Sequence, residues 1–340
     1  MADRLALPGF VNAHSHAFQR ALRGKVEGGD FWAWREAMLD VSRGLTLGHV
    51  RTEYAAVYRE MRAAGYTAVG EFHYVGFAEA EAPVEAAREA GIELVLLYAA
   101  YARGGLDRFR QDSVGAYLEQ VEALRGAGAL VGLAPHSVRA CPRDWLEEIG
   151  RYAGREGLVL HVHADEQPRE IEECLAEHGL RPIALLGEAG CLGPRTTIVH
   201  ATHADERELD LLADAGARVC LCPTTEANLG DGFPPLEGLL ERGIPVCIGS
   251  DSNVRIDPLE ELRELEGIAR HQTLRRNVVP VADLLTAGTA AGGAALGIDD
   301  WPGIEVDLDH ASLRGVPPSE ALAALVHGCG ADVLTRSRDE

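Results

Sequence analysis

Long apolar runs are missing from this chain. No stretch of about eighteen consecutive apolar residues interrupts its 340 residues, which excludes a membrane-spanning helix of ordinary length. The opening MADRLALPGF has no basic segment leading into an apolar one, so no secretory leader is read there. Positive charge is scarce: 32 Lys and Arg face 53 Asp and Glu, a net charge of −21. Such a balance argues against a general binder of nucleic acid or anionic membranes. It does not prevent a few local arginines from holding an anionic small molecule. The seven cysteines are odd in number, scattered, and set in a chain too large to need disulfide staples. They read as reduced, buried thiols, and a cytoplasmic location is the expectation. Cys220 and Cys222 lie two apart in VCLCP, but no second pair at zinc spacing exists, and small apolar side chains on a buried strand are the simpler reading. No GxGxxG turn follows the first strand, which weakens a dinucleotide-binding fold.

Short β-branched runs alternate with amphipathic segments along most of the chain. Strands are expected near 8–13, 67–72, 93–98, 130–135, 158–163, 196–201, 217–223 and 244–251. Between them lie stretches such as RTEYAAVYREMRAAG, VGAYLEQVEALRGAG and ADERELDLLADAG, most closed by a glycine just before the next strand. The strands are nearly continuous apolar runs, as parallel strands covered on both faces require. Eight βα units in series favour a (β/α)8 barrel over an open doubly wound sheet. Residues 24–48 form a long excursion after the first strand, a place where barrels carry substrate contacts. Residues 257–296 read as two further helices and 301–340 as a tail.

The polar punctuation falls at the C-terminal ends of these strands, where a barrel builds its active site. His14-Ser15-His16 ends the first strand, and on extended backbone residues i and i+2 face the same side. His136 and Arg139 follow the fourth, His161 and His163 end the fifth, His200 ends the sixth and Asp251 ends the eighth. A lone histidine at a strand end is more often a structural hydrogen-bonding residue than a ligand. An Asp after Gly-Ser can simply cap the next helix. Joint placement on four separate strand ends is much harder to obtain by chance, and imidazoles with a carboxylate are the donor set of a hydrolytic divalent-metal site.

This arrangement resembles the amidohydrolase superfamily. NAHSHAFQRALRG, FWAWREAM, AGYTAVGEFHYV, HVHADEQ, VHATH, LCPTTEANLGDGFP and GSDSNV narrow the resemblance, over about residues 8–275, to its branch of iminohydrolases that act on N-formimino-L-glutamate. The resemblance implies an amidohydrolase-type TIM barrel over 1–300. It also implies that the family's accessory β-sandwich is missing or curtailed, with 301–340 as a remnant. It implies one divalent ion, with zinc the first expectation and iron or manganese the others, held by His14, His16, His163 and Asp251. His163 is favoured over His161 because Glu166 then stands in the family's HxxE spacing. Glu166 is the implied proton shuttle, Asp251 also takes the attacking water's proton, and His200 sits beside the reacting carbon. Arg35 and Arg139 are implied to hold the two carboxylates of the substrate, with Gln19, Tyr74 and His136 completing its pocket. Glu71 and His73 are left as supporting or core residues. A homodimer is the expected assembly, and no nucleic-acid or membrane partner is expected. Two departures stand out: Asn253 replaces a histidine usual in the family, and 73–77 reads HYVGF where the family has HYVHH. The other readings are a sibling deaminase of a nucleobase, guanidine or triazine, and a silent barrel that only binds.

Overall fold

The protein is described by a computed structural model covering residues 4–336. Its barrel strands are β2 (Phe10–Ser15), β3 (Tyr66–His73), β4 (Glu93–Ala100), β5 (Val131–Pro135), β6 (Leu160–Ala164), β7 (Thr196–His200), β8 (Arg218–Leu221) and β9 (Val246–Ile248). They form one eight-stranded sheet in sequential order, every neighbouring pair parallel. Helices separate the strands and cover the outside of the sheet, so the strands are buried on both faces. The fold is the (β/α)8 barrel that the alternation predicts.

Closure is economical. β2 and β9 do not pair along their length. They meet through Ser15 and Asp251, where His16 N donates to Asp251 O (2.8 Å) and Asp251 N donates to His14 O (3.0 Å). Gly249 permits this approach, because a Cβ there would stand 2.8 Å from both the Cβ and the carbonyl oxygen of His14. Side chains brace the same seam. Asn12 bonds Ser250 twice, Ser250 Oγ donates to Asn253 Oδ1 (2.7 Å), and Asn253 Nδ2 reaches Ser15 Oγ (3.1 Å). The residue that departs from the family's histidine therefore ties the two barrel edges together.

Two expectations need correction, and the excursion gains a definite structure. The first barrel strand begins at Phe10, not Pro8. Residues Arg4–Pro8 form a separate strand, β1, which pairs antiparallel with β10 (Gly303–Asp307), and β10 pairs with β11 (Leu334–Arg336). Gly9 is the break, since a Cβ there would lie 1.9 Å from Thr67 Oγ1 and 2.3 Å from the Pro302 carbonyl. The excursion at 24–48 is mostly helical, spanning Phe31–Arg43 and running from Leu47 into the next helix. Asp30 and Thr46 cap the two starts with side-chain oxygens. The region 257–296 contains three helices rather than two, because the backbone at Thr289 (φ −132°, ψ −93°) interrupts the last one.

All seven cysteines are free and buried. Cys220, Cys222 and Cys247 pack with Ala13, Val199 and Ala295 in a small buried cluster. Among the described residues no helix is long and apolar enough to cross a membrane.

Candidate metal centre and pocket

The period-two geometry of β2 carries His14 and His16 to the same point, and β6 and the turn after β9 deliver His163 and Asp251 there. His14 Nε2 lies 3.1 Å from His16 Nε2, 3.1 Å from His163 Nε2 and 3.1 Å from Asp251 Oδ1. His16 Nε2 lies 3.3 Å from both His163 Nε2 and Asp251 Oδ1. These separations are those of a shell around one ion, since metal–nitrogen bonds of about 2.05 Å set ligand-to-ligand edges near 3.3 Å. The outer nitrogens fix the rings: His16 Nδ1–H donates to Phe72 O (2.9 Å) and His163 Nδ1–H to His136 O (2.8 Å). Both Nε2 lone pairs are thereby turned inward, as metal ligation requires. Burial drives protons off these imidazoles, lowering His14 to about 3 and moving His16 and His163 the same way. Burial alone would raise Asp251, but the His14 hydrogen bond and the neighbouring imidazoles hold it below the usual carboxylate range. Three neutral imidazoles and one carboxylate fit a divalent ion. His163→Asn is expected to weaken metal binding by more than the 10–100-fold typical of losing an outer partner. Metal content after dialysis against a chelator checks this.

His161, two residues before His163, lies deeper and donates to Ala295 O (2.9 Å), away from the ligand cluster. His200 stands beside the cluster. Its Nδ1–H donates to Glu226 Oε1 (3.1 Å), and its Nε2 is 3.7 Å from Glu166 Oε1. Burial would deprotonate His200, but Glu166, Glu226 and Asp251 outweigh it and push the ring up to about 10. His200, Ala201 and Asp251 all have left-handed backbone (φ 75°, 51° and 41°), a costly conformation for non-glycine residues that turns the chain sharply at the site.

Glu166 follows β6 and is almost fully buried. Burial raises it to about 7, and the His200 and Arg139 cations oppose a larger rise. Arg139 Nη2 is 3.4 Å from Glu166 Oε2, and Arg139 Nε is 3.6 Å from Glu170 Oε1. Glu170 also accepts from the Glu166 backbone N–H (3.1 Å), so it braces both partners.

One cavity joins these groups. His16, His163, Glu166, His200 and Asp251 share its wall with Gln19, Arg35, Tyr74, His136 and Arg139. Every residue expected in the site thus lines this cavity except His14, which lies behind it within the ligand cluster. Gln19 Nε2 donates to Tyr74 Oη (2.8 Å), and His136 Nδ1 lies 3.2 Å from Ser137 Oγ. Among the described residues Arg35 has only a long contact (3.4 Å), with the exposed Glu36, which leaves most of its donors unused. A larger groove elsewhere, lined by Val84, Arg88, Leu94 and Leu130, contains none of the site residues.

Sequence reasoning missed Phe31, Trp34, Met38, Tyr101 and Leu229 in the cavity wall, and Glu170 and Glu226 behind it. A signal was present for several. Phe31, Trp34, Arg35 and Met38 stand at i, i+3, i+4 and i+7, one face of a helix. Tyr101 directly follows β4, as Tyr74 follows β3 and His136 follows β5.

Glu71, on β3, accepts from the Ala17 backbone N–H (2.8 Å) just past His16. Burial raises it to about 8 from an ordinary 4.5, although the Ala17 N–H bond and the nearby Ser15, Tyr58 and Tyr54 hydroxyls favour the anion. Between about pH 4.5 and 8 the native state keeps a proton that the unfolded chain has lost, so this group lowers stability as pH rises through that window. Glu71→Gln has no proton to lose. Its Tm relative to the parent is expected to rise from pH 5 to pH 9, by about 2 °C for each kcal/mol relieved. A calorimetric Tm difference that does not change with pH would contradict this.

Comparisons with known proteins agree with the geometry. The chain is 39% identical over 336 residues to the formimidoylglutamate deiminase of Pseudomonas aeruginosa, covering 87% of this chain and 74% of that protein. It is 30% identical over 361 residues to a 5-methylthioadenosine/S-adenosylhomocysteine deaminase of Haloarcula marismortui, covering 99% of this chain and 82% of the other. The crystal structure of an adenosine deaminase from Xanthomonas campestris with bound zinc superposes with a TM-score of 0.89 at 23% identity, covering 98% of this chain and 78% of that one, a likeness of fold. With the amidohydrolase family model matching residues 5–306 and its divalent-metal ligands converging at one end of the barrel, the chain belongs to the amidohydrolase family, as a hydrolase of C–N bonds.

Proposed function

We propose that this deaminase hydrolyses N-formimino-L-glutamate to N-formyl-L-glutamate and ammonia, and that zinc is its working ion. The observation that carries the substrate reading is the pair of guanidinium groups, Arg35 and Arg139, in the cavity shared with Glu166, His200 and Asp251. Guanidinium pairs with carboxylate through paired donors, and a substrate with two carboxylates uses both arginines. A neutral nucleoside uses neither. The 39% identity to the Pseudomonas aeruginosa deiminase supports the same choice, and the zinc in the Xanthomonas campestris structure supports the ion.

A divalent ion bound by the four ligands would acidify a water enough to make it a nucleophile near neutral pH. The protein's own groups carry the remaining work. The water's oxygen bonds to the formimino carbon as the C=N bond becomes single. Asp251 is placed to take the water's proton. Glu166, poised near neutrality by burial, moves a proton to the departing nitrogen, as a general acid–base carboxyl should. His200 faces the same centre through Nε2 and supports the charge that develops there. The hydroxyl's remaining proton then passes to the same nitrogen as the C=O of the formyl group forms and the C–N bond breaks, releasing ammonia, and the proton held by Asp251 returns Glu166 to its starting state. Gln19, Tyr74 and His136 contact the body of the substrate, and Phe31, Trp34, Met38 and Tyr101 exclude water around it.

The test is incubation of zinc-loaded protein with N-formimino-L-glutamate. Equal amounts of ammonia and N-formylglutamate are expected. Absence of both, with one zinc bound per chain, would remove this substrate.

A further inference from the structure

Glu226 sits in the first turn of the helix Pro223–Leu229 and is almost completely buried, yet it does not line the cavity. One of its oxygens, Oε1, accepts twice: from the Cys222 backbone N–H (2.9 Å) and from His200 Nδ1–H (3.1 Å). The other, Oε2, is buried without a hydrogen-bond partner among the described residues. A half-satisfied buried carboxylate is expensive, and a helix cap needs only one acceptor oxygen, which a neutral side chain could supply. The second contact gives the charge a purpose. An imidazole pinned through Nδ1 has one orientation, with its other nitrogen aimed away from the pin. For His200 that nitrogen, Nε2, points to Glu166 and the cavity.

We propose that Glu226 is a positioning residue for the hydrolytic step, fixing the His200 ring so that Nδ1–H is donated outward and Nε2 is presented to the reacting centre. The inference rests on the deaminase reading above but not on its choice of substrate. His200, Cys222 and Glu226 could also be read as a second metal site, since their ligand atoms all lie within 4.8 Å of one another. The two hydrogen bonds to Oε1 account for that proximity without an ion.

The experiment compares the parent and Glu226→Gln on whichever substrate the parent turns over, chosen from N-formimino-L-glutamate, methylthioadenosine and adenosine. Gln keeps one amide oxygen for Cys222 N–H but removes the anion that holds the proton on His200 Nδ1, and its NH2 can be turned to the ring instead, so a pure capping role predicts unchanged kinetics and positioning does not. Positioning predicts a kcat lowered by about 10²-fold or more, within the 10²–10⁴ range of proton-transfer groups, with KM and zinc content within about threefold of the parent. It also predicts, in the parent, a downfield exchange-protected His200 Nδ1–H proton by NMR, assigned by its loss in His200→Gln and weakened or shifted in Glu226→Gln. A kcat within threefold of the parent would overturn the proposal. So would two tightly bound zinc ions per chain that fall to one in Cys222→Ala. If Glu226→Gln does not fold, the parent spectrum decides, and absence of the protected proton overturns the proposal. A parent inert on N-formimino-L-glutamate but active on a nucleoside would instead reject the substrate reading and leave the Glu226 comparison intact.

Discussion

Glu166→Gln is expected to lower kcat by about 10²–10⁴-fold, with zinc content unchanged. The magnitude follows from where the carboxyl sits. It is buried between two cations, 3.7 Å from His200 Nε2 and 3.4 Å from Arg139 Nη2, and burial leaves it near 7. A carboxyl there is part protonated and part ionised at working pH, which is what accepting and returning a proton in one cycle demands. Gln keeps the shape and removes the proton. No metal ligand is touched, so a fall in zinc content alongside kcat would mean that Glu166 supports the metal site instead. Steady-state kinetics with metal analysis on the same sample separate the two.

Arg35→Met is expected to reduce kcat/KM for N-formimino-L-glutamate by about 30- to 5,000-fold, mainly through KM. This is the range for removing one partner of a desolvated charge pair, about 2–5 kcal/mol. Arg35 is the cleaner of the two arginines to change. Arg139 lies against Glu166 and Glu170, and its guanidinium is also near the rings of Phe31 and Trp32, 5.9 and 5.8 Å from their centroids. Removing Arg139 strips two buried carboxylates of their cation, so Arg139→Met is expected to lower kcat and Tm as well as raise KM. The decisive control is a substrate analogue with its carboxylates blocked as amides. The parent should use it poorly, and Arg35→Met should lose little further on it. Equal losses on both substrates would place Arg35 in a structural role.

Much of the fold was legible because parallel barrel strands carry a strong signal: continuous apolar runs, a glycine at the helix end, then the next run. The metal set was legible for a related reason. Period-two geometry puts His14 and His16 on one side without any tertiary knowledge, and strand ends are where a barrel gathers chemistry. Other features required three dimensions. The seam between Asn12, Ser15, Ser250 and Asn253 joins residues 238 positions apart, and nothing local marks Asn253 as a brace. The sheet of β1, β10 and β11 pairs Arg4 with Asp307, and no local pattern reports a partner at that distance. Glu170 and Glu226 look like ordinary first-turn helix carboxylates. Only the packing shows that each also reaches a charged group facing the cavity. Phe31, Trp34 and Met38 share one helical face by spacing alone, but they sit in the long excursion after the first strand, where Gly28, Gly29 and Gly44 obscure that spacing.

The dicarboxylate reading stands or falls on a comparison of kcat/KM for N-formimino-L-glutamate and for 5-methylthioadenosine, measured as ammonia release by one zinc-loaded preparation. A ratio of at least about 10³ in favour of N-formimino-L-glutamate is expected, the discrimination of a site whose buried charges go unpaired with the wrong substrate. Faster turnover of the nucleoside would contradict it, and would mean that Arg35 and Arg139 hold something other than substrate carboxylates.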